Sequence, residues 1–183
     1  MVTHSVYKRG CISCGREITD DRLVEVGVCD KCYSSSSEDI LKIFESLTGK
    51  SKNLRDLITL KKEVDEWVDK FKTVIGTLPW NTQITWMKRV ILGRSFSLVA
   101  PTGVGKTTFG IFSSLMMALR GKKSIVILPT TNLVNQVYEK IVSFSKKLGM
   151  SIRVIRYSSN LSEKEKVNFK DSIIKGEYDI VII

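Results

Sequence analysis

A glycine-rich loop with a lysine and two threonines is the stretch of this chain best suited to chemistry. It runs Ala100-Pro-Thr-Gly-Val-Gly-Lys-Thr-Thr108, between a short apolar run and a segment with helical apolar spacing. Gly103 and Gly105 allow a tight turn that points backbone N–H groups at an anion, and the dipole of the following helix attracts the same charge. Lys106 is placed to reach the β- and γ-phosphates of a nucleotide, and the Thr107 hydroxyl to hold Mg²⁺. The loop therefore predicts a nucleoside triphosphate site.

The loop departs from the usual P-loop pattern only at its first position, where Ala100 replaces a glycine. We expect the small alanine side chain to be tolerated, and a chance loop of this composition between a strand and a helix is improbable. Lys106 and Thr107 are the predicted catalytic residues. The predicted nucleotide-binding residues of the loop are Ala100, Pro101, Thr102, Gly103, Val104, Gly105, Lys106, Thr107 and Thr108.

All four cysteines lie near the N-terminus, in two Cys-x-x-Cys pairs separated by fourteen residues. This spacing predicts a structural zinc site with four thiolate ligands and no open position for a substrate. Two disulfides are the alternative, and the absence of a signal peptide disfavours them. Because thirty residues cannot build a core alone, the metal is expected to supply folding energy. The predicted metal ligands are Cys11, Cys14, Cys29 and Cys32.

Two further features complete the prediction of a small zinc-binding domain, here called the finger, at the N-terminus. Alternating apolar residues within Arg16–Val28 suggest a small β-ribbon between the cysteine pairs. His4, the one histidine of the chain, lies outside the pairs and is expected to be a solvated tail residue rather than a ligand.

The charge of the chain is basic and unevenly distributed. The net charge is +10. Residues 1–33 hold five basic and five acidic residues, 34–97 hold eleven and eight, and 98–183 hold thirteen and six. The basic excess lies mainly in the domain that contains the glycine-rich loop, here called the loop domain. This excess indicates a nucleic-acid partner, with a generally basic surface as the alternative. The neutral finger is a poor electrostatic anchor for DNA, and its charge favours a protein contact.

The apolar pattern of the chain excludes a membrane protein. No apolar run approaches the length of a membrane span, and Met1–Gly10 lacks the apolar stretch of a signal peptide. We therefore expect a cytoplasmic protein with no membrane partner.

Strands alternate with helices in the second half of the chain. Branched apolar runs predict buried strands at 96–100, 124–128, 152–157 and 178–183, with amphipathic helices between them. This order predicts an α/β fold, in which helices cover both faces of a parallel sheet.

The middle of the chain reads as a helical linker. Ser34–Ser37 is predicted to be a flexible joint whose last serine can cap a helix that begins at Glu38 and ends before Gly49; further helices are predicted at 53–75 and 80–92. The 53–75 helix is expected to pack on the loop domain, with a self-association seam as the alternative. The predicted domains are a zinc finger at 1–37, a linker at 38–78 and an ATP-binding domain at 79–183.

Two polar segments lie where a nucleotide or nucleic acid would be contacted. Gln83 comes twenty-three positions before Lys106, and its amide offers both the donor and the acceptor that reading adenine requires. A solvated glutamine is the alternative. Pro129-Thr-Thr-Asn132 opens a helix after a strand, which suits a phosphate; ordinary N-capping explains the same residues equally well.

Gln83, the Ala100–Thr107 loop and Pro129–Asn132 together resemble the Q motif, motif I and motif Ia of a superfamily-two helicase, in its first RecA-like domain. The resemblance implies that Gln83 reads adenine, that the loop binds ATP and Mg²⁺, and that Pro129, Thr130, Thr131 and Asn132 touch the nucleic-acid backbone. The last segment departs from the commoner Pro-Thr-Arg-Glu form, which argues against a DEAD-box RNA helicase.

The finger, the linker and the stretch Pro79–Gly110 together resemble the reverse gyrases. That family joins a helicase-like module to a type IA topoisomerase, occurs in hyperthermophiles and introduces positive supercoils into DNA with ATP. The resemblance implies DNA as a partner, together with a second RecA-like domain and a topoisomerase half in the same full-length chain. Motif II would follow Ile183, so residues 1–183 alone are expected to bind ATP weakly without hydrolysing it. The alternatives are a stand-alone ATP-dependent DNA helicase with a zinc finger, and a non-enzymatic zinc-bearing binding module.

Overall fold

The structure, a computed structural model, describes residues 4–34, 39–158 and 161–183. The chain forms two compact units, Met1–Glu63 and Val64–Ile183. The division falls inside a helix of 24 residues, α3 (Lys52–Ile75). The functional boundaries at 37/38 and 78/79 stay predictions.

The first unit begins with a small hairpin and continues as helices. β1 (Val6–Tyr7) pairs antiparallel with β2 (Ile18–Thr19), and α1 (Asp20–Glu25) and α2 (Ile40–Leu47) follow. The predicted ribbon over Arg16–Val28 is therefore wrong beyond residue 19. Two acidic residues in the first turn of α1 favour its N-terminus, and Gly27, with φ of 75°, closes the turn after it.

The finger shares its apolar core with the helices that follow it. Val26 and Val28 are fully buried together with Ile43 and Leu54. Phe44 lies so close to Gly27 that a Cβ there would stand 2.8 Å from its ring. The helices thus supply the apolar partners that the finger lacks. The cap of α2 is Asp39, which accepts from Leu41 N–H at 2.9 Å, and the predicted capping serine lies outside the described residues.

The second unit contains the parallel sheet that the sequence predicts. The strand order is β3-β5-β4 with every pairing parallel. Because crossovers between parallel strands are right-handed as a rule, this order requires α6 and α7 on opposite faces of the sheet. The α/β fold with helices on both faces of the sheet is confirmed. The elements of this unit are α4 (Asn81–Ile91), α5 (Lys106–Leu119), β3 (Ser124–Val126), α6 (Thr131–Lys147), β4 (Val154–Arg156), α7 (Glu163–Lys175) and β5 (Ile180–Ile182).

The segment before the glycine-rich loop is extended but unpaired. Phe96, Leu98 and Ala100 pack half-buried against the core, whereas Val99 between them is 96% exposed. No backbone hydrogen bond among the described residues joins 95–100 to a strand. The predicted strand is therefore wrong in its pairing, although one of its faces is covered as a strand's would be.

An aromatic cluster supports the helix that follows the loop. Phe112 of α5 meets Trp67 and Phe71 of α3 edge-on, with ring centroids 5.8 and 5.2 Å apart. Trp86 of α4 meets Phe109 in the same way at 5.2 Å. The second half of α3 is therefore packed on the loop domain, as predicted. No helix of the described ranges has the length and hydropathy needed to span a membrane.

Replacing Phe112 by alanine is expected to lower the free energy of unfolding of the second unit by about 3–5 kcal/mol, because the change leaves a cavity in a fully buried aromatic cluster. The three tryptophans of the chain, Trp67, Trp80 and Trp86, all lie in this unit, so their fluorescence during urea unfolding measures it selectively. The control is Leu119→Ala at the exposed end of the same helix. Equal shifts of the midpoint in both variants would contradict this packing.

Candidate functional site

The glycine-rich loop turns directly into the N-terminus of α5. Gly103 and Gly105 adopt the left-handed region with φ of 86° and 81°, which other residues rarely occupy. Phe109 N–H makes the first helical bond, to the Gly105 carbonyl at 2.8 Å. The N–H groups of the three residues before it lie in the first turn, where no intrahelical acceptor exists. This arrangement presents donors and the positive end of a helix dipole to an anion.

Lys106 folds back onto the loop in this structure. Its Nζ donates to the carbonyl oxygen of Ala100 at 2.6 Å and to that of Pro101 at 2.7 Å. The ammonium group is therefore held at the mouth of the loop by neutral acceptors, which phosphate oxygens can replace. Ala100 itself packs half-buried against the aromatic core, so its side chain points away from the anion position. Thr107 is exposed on the first turn of α5.

Gln83 lies against the loop rather than in solvent. The residue is 6% exposed, and its Oε1 accepts from Trp80 N–H at 3.0 Å. Its Nε2 donates to the carbonyl of Val104 at 3.4 Å and stands 3.1 Å from where a Cβ on Gly105 would be. The solvated alternative for this glutamine is wrong. The amide retains one N–H and one oxygen lone pair for another partner.

A small cavity opens between the loop and the residues before α4. Its volume is about 180 Å³, below the range of roughly 300–1,000 Å³ for sites that enclose a whole drug-sized ligand. It can therefore take part of a nucleotide. Of its two aromatic residues, Phe71 is 2% exposed and committed to the core, whereas Trp80 is 66% exposed. The lining residues are Phe71, Ile75, Thr77, Leu78, Trp80, Gln83, Gly103, Val104, Gly105 and Thr108.

Sequence reasoning did not identify Thr77 and Leu78 as lining residues of this cavity. The only signal was their position between Gly76 and Pro79, which break the helical pattern.

A second cavity of about 590 Å³ lies at the amino ends of the strands, beside Lys123, Arg153 and Tyr178. Ligands of parallel sheets bind at the opposite, carboxyl ends.

The Pro129–Asn132 segment forms the start of α6 at the carboxyl end of β3. The Thr130 hydroxyl accepts from Leu133 N–H at 3.4 Å and so caps its own helix. Pro129 and Asn132 are exposed. Ile111 of α5 and Val134 of α6 belong to one apolar core cluster, and the two helices contact each other. The segment therefore combines an N-cap with an exposed helix terminus.

The four cysteines converge on one point. Their sulfur atoms all lie within 4.8 Å of one another and form no disulfide, which rules out the two-disulfide alternative in this structure. Neighbouring sulfurs are 3.9 Å apart for Cys11–Cys32, 3.6 Å for Cys14–Cys29 and 3.8 Å for Cys29–Cys32. A tetrahedron with metal–sulfur bonds of about 2.3 Å has edges of about 3.8 Å. The cluster has the size that one zinc ion requires.

Three thiols of the cluster differ in pKa. Burial alone would raise the pKa of Cys11, but hydrogen bonds from the backbone of Cys29, Cys14 and Ser13 lower it to about 6. Burial raises the pKa of Cys29, and it raises that of Cys32 to about 12. Because a metal ligand must be a thiolate, binding of a metal has to release protons from the second pair.

His4 is not part of this cluster. Its Nδ1 lies 3.0 Å from an Asp20 carboxylate oxygen and 3.7 Å from one of Asp21, and each of the three side chains is less than half exposed. The histidine is therefore paired rather than merely solvated, but it is not a cysteine-site ligand.

The chain is similar to known proteins along nearly its whole length. The DEAD/DEAH box helicase family model matches residues 80–183. The chain is 40% identical to a reverse gyrase of Pyrococcus horikoshii and 43% identical to one of Methanocaldococcus jannaschii, over 97% of this chain in each case. Reverse gyrase 1 of Aquifex aeolicus is 40% identical over 97% of the chain.

The chain spans only 12%, 11% and 15% of the lengths of these three relatives. The helicase-like domain implies nucleotide and Mg²⁺ binding, and the four-cysteine cluster is fit to hold a metal ion. The chain therefore belongs to the DEAD/DEAH box helicase family, and over nearly its whole length it is similar to reverse gyrases.

Proposed function

We propose that this chain is the N-terminal part of an ATP-dependent DNA topoisomerase of the reverse gyrase type, which introduces positive supercoils into DNA. It binds ATP and Mg²⁺ at the glycine-rich loop and Zn²⁺ at the four cysteines. The observation that carries the proposal is the contact of the buried Gln83 amide with the loop at Val104. This contact brings a base-reading group and a phosphate-binding loop to one cavity. The finger upstream of the domain favours reverse gyrase over a stand-alone helicase, because the similarity covers both.

The proposed role of each group follows from the hydrogen bonds or metal bonds that it can still form. Lys106 exchanges the carbonyls of Ala100 and Pro101 for phosphate oxygens, and the N–H groups at the start of α5 donate to the same anion. The Thr107 hydroxyl holds Mg²⁺. Gln83 uses its remaining N–H and lone pair to read adenine, while Trp80 offers an accessible face for the ring. Bound ATP supplies the free energy for switching the full-length enzyme between conformations.

The start of α6 is the proposed DNA contact. Thr130 is occupied by its cap, so the backbone N–H groups and exposed Asn132 carry the contact with a phosphate. The basic excess of residues 98–183 attracts the DNA backbone over a longer range. The zinc ion has a structural role, because protein thiols supply all four of its ligands.

Removal of the Lys106 ammonium group is expected to weaken ATP binding by about 10- to 150-fold, since a hydrogen bond to a charged group contributes about 1.5–3 kcal/mol. Isothermal calorimetry with Mg²⁺ and ATP on Lys106→Ala measures this loss. Lys122→Ala, an equal charge change at an exposed site, is the control. In the full-length enzyme, Lys106→Ala should abolish ATP-dependent supercoiling. Wild-type affinity in Lys106→Ala would refute the nucleotide site.

Stacking on the adenine ring is expected from Trp80. The Trp80→Ala variant should bind ATP about 2- to 12-fold more weakly, because aromatic pairs contribute about 0.5–1.5 kcal/mol, while Trp80→Phe keeps most of the affinity. Leu78→Ala, at an exposed lining residue two positions away, is the control. Binding of inorganic triphosphate should be the same in all variants. A parallel loss of triphosphate binding in Trp80→Ala would show that the residue shapes the loop and does not contact the base.

Zinc removal is expected to unfold the finger without unfolding the loop domain. Elemental analysis should give one zinc per chain, and a strong chelator should reduce the far-ultraviolet ellipticity of α1 and α2 while tryptophan fluorescence stays constant. Chelator saturated with zinc is the control. A chain that contains no zinc and is indifferent to the chelator would disprove the metal site.

A further inference from the structure

Arg22 is a buried cation beside the cysteine cluster. It lies in the middle of α1, and its side chain is 10% exposed. Buried arginines are rare unless their donors are satisfied, because taking the charge out of water is costly. The contacts of this guanidinium therefore indicate what the residue does.

The contacts of Arg22 lie on both flanks of the second cysteine pair. Its Nε donates to the carbonyl of Val28, the residue before Cys29, at 3.1 Å. One of its terminal nitrogens donates to the carbonyl of Tyr33, the residue after Cys32. Its Nε also lies 3.0 Å from a carboxylate oxygen of Asp30, whose side chain is largely exposed. A planar guanidinium with several fixed donors can hold two carbonyls at once.

The first cysteine pair is held differently. The β1–β2 hairpin closes around it through the pairs Val6–Thr19 and Tyr7–Ile18. Cys11 N–H donates to the carbonyl of Arg16 at 3.0 Å, inside the same hairpin. Backbone pairing thus fixes the first pair.

The second pair has no strand ladder on either side within the described residues. Its turn is closed by Cys32 N–H and Tyr33 N–H, which both donate to the Cys29 carbonyl. The Cys29 N–H donates to the Cys11 sulfur at 3.3 Å and so links this pair to the first. Arg22 joins the two ends of this loop to α1 and so replaces the missing ladder.

We propose that Arg22 positions the second cysteine pair for the metal, so that Cys29 and Cys32 depend on it more than Cys11 and Cys14 do. The inference rests on the proposed zinc site. Outer residues that orient metal ligands typically change metal affinity by about 10- to 100-fold when replaced. Lysine keeps the charge but lacks the planar fork, so it cannot hold both carbonyls in the same geometry.

The test compares three variants of the 183-residue chain. Competition with a chromophoric chelator should show a 10- to 100-fold loss of zinc affinity in Arg22→Gln and an intermediate loss in Arg22→Lys. The control is Arg16→Gln, which removes an equal charge from an exposed position in the same finger. It should change affinity by less than about threefold, since exposed charges contribute little. Far-ultraviolet circular dichroism of the zinc-loaded variants checks that each is folded.

Alkylation then distinguishes positioning from general destabilisation. Zinc-loaded protein is treated with a limiting amount of N-ethylmaleimide, and the singly modified molecules are mapped by mass spectrometry. In Arg22→Gln the label should fall on Cys29 and Cys32, with Cys11 and Cys14 protected. Labelling of all four cysteines at equal rates, or wild-type affinity in Arg22→Gln, overturns the role of Arg22 alone. A wild-type chain that binds no zinc overturns the metal site of the proposed function as well.

Discussion

The contact of the Lys106 ammonium with the carbonyls of Ala100 and Pro101 closes the glycine-rich loop, and the packing of the second unit fixes where that loop lies. A loop that exposes backbone donors to an anion cannot also bond those donors to itself, so it must be held from outside. The aromatic cluster that packs on α5 supports the loop, through the contact of Phe109 with Trp86 and the contacts of Phe112 with the rings of α3. Gln83 holds it from the side at Val104. The two glycines then need only supply the backbone conformation.

The finger has the opposite requirement, because its ligand atoms must be held close together. Its four sulfurs already stand at the separations of a tetrahedral zinc site, so a metal would find its ligands in place. This arrangement depends on neighbours that a thirty-residue finger does not contain. Ile43, Leu47 and Leu54 come from the helices that follow and complete the apolar core around Val26 and Val28. The finger and these helices thus form one folding unit in which the metal and the core reinforce each other.

The sequence could predict what is local and could not predict what is paired across distance. The P-loop, the cysteine spacing and the helical periods of α3, α5 and α6 are local patterns, and the structure contains each of them. The segment 96–100 has the composition of a strand, but a strand also needs a neighbour, which composition does not reveal. The alternation that suggested a ribbon over Arg16–Val28 is too short to distinguish a strand from one helical turn and a bend.

The same limit applied to the polar residues of the site. The Thr130 hydroxyl suited both a cap and a phosphate contact, and only the 3.4 Å distance to Leu133 N–H assigns it to the cap. Gln83 was compatible with a solvated position because its partner Val104 lies 21 residues away in the sequence. Arg22 carried no signal at all, since a basic residue in a short polar helix is ordinarily a surface residue. Its partners became evident only when the second cysteine loop was seen around it.

The cysteine site and the glycine-rich loop differ in what the binding of a ligand would change. A metal at the cysteines would replace protons and bind the sulfurs at the separations that they have in the folded finger. A triphosphate at the loop would instead take Lys106 away from two carbonyls, and any movement at Val104 would reach the start of α4 through Gln83, which also holds Trp80 N–H. A ligand shifts a conformational equilibrium only by binding its two states differently. The loop, whose contacts must be exchanged, meets that condition between two folded states, whereas a metal at the cysteines distinguishes the folded finger from the unfolded one.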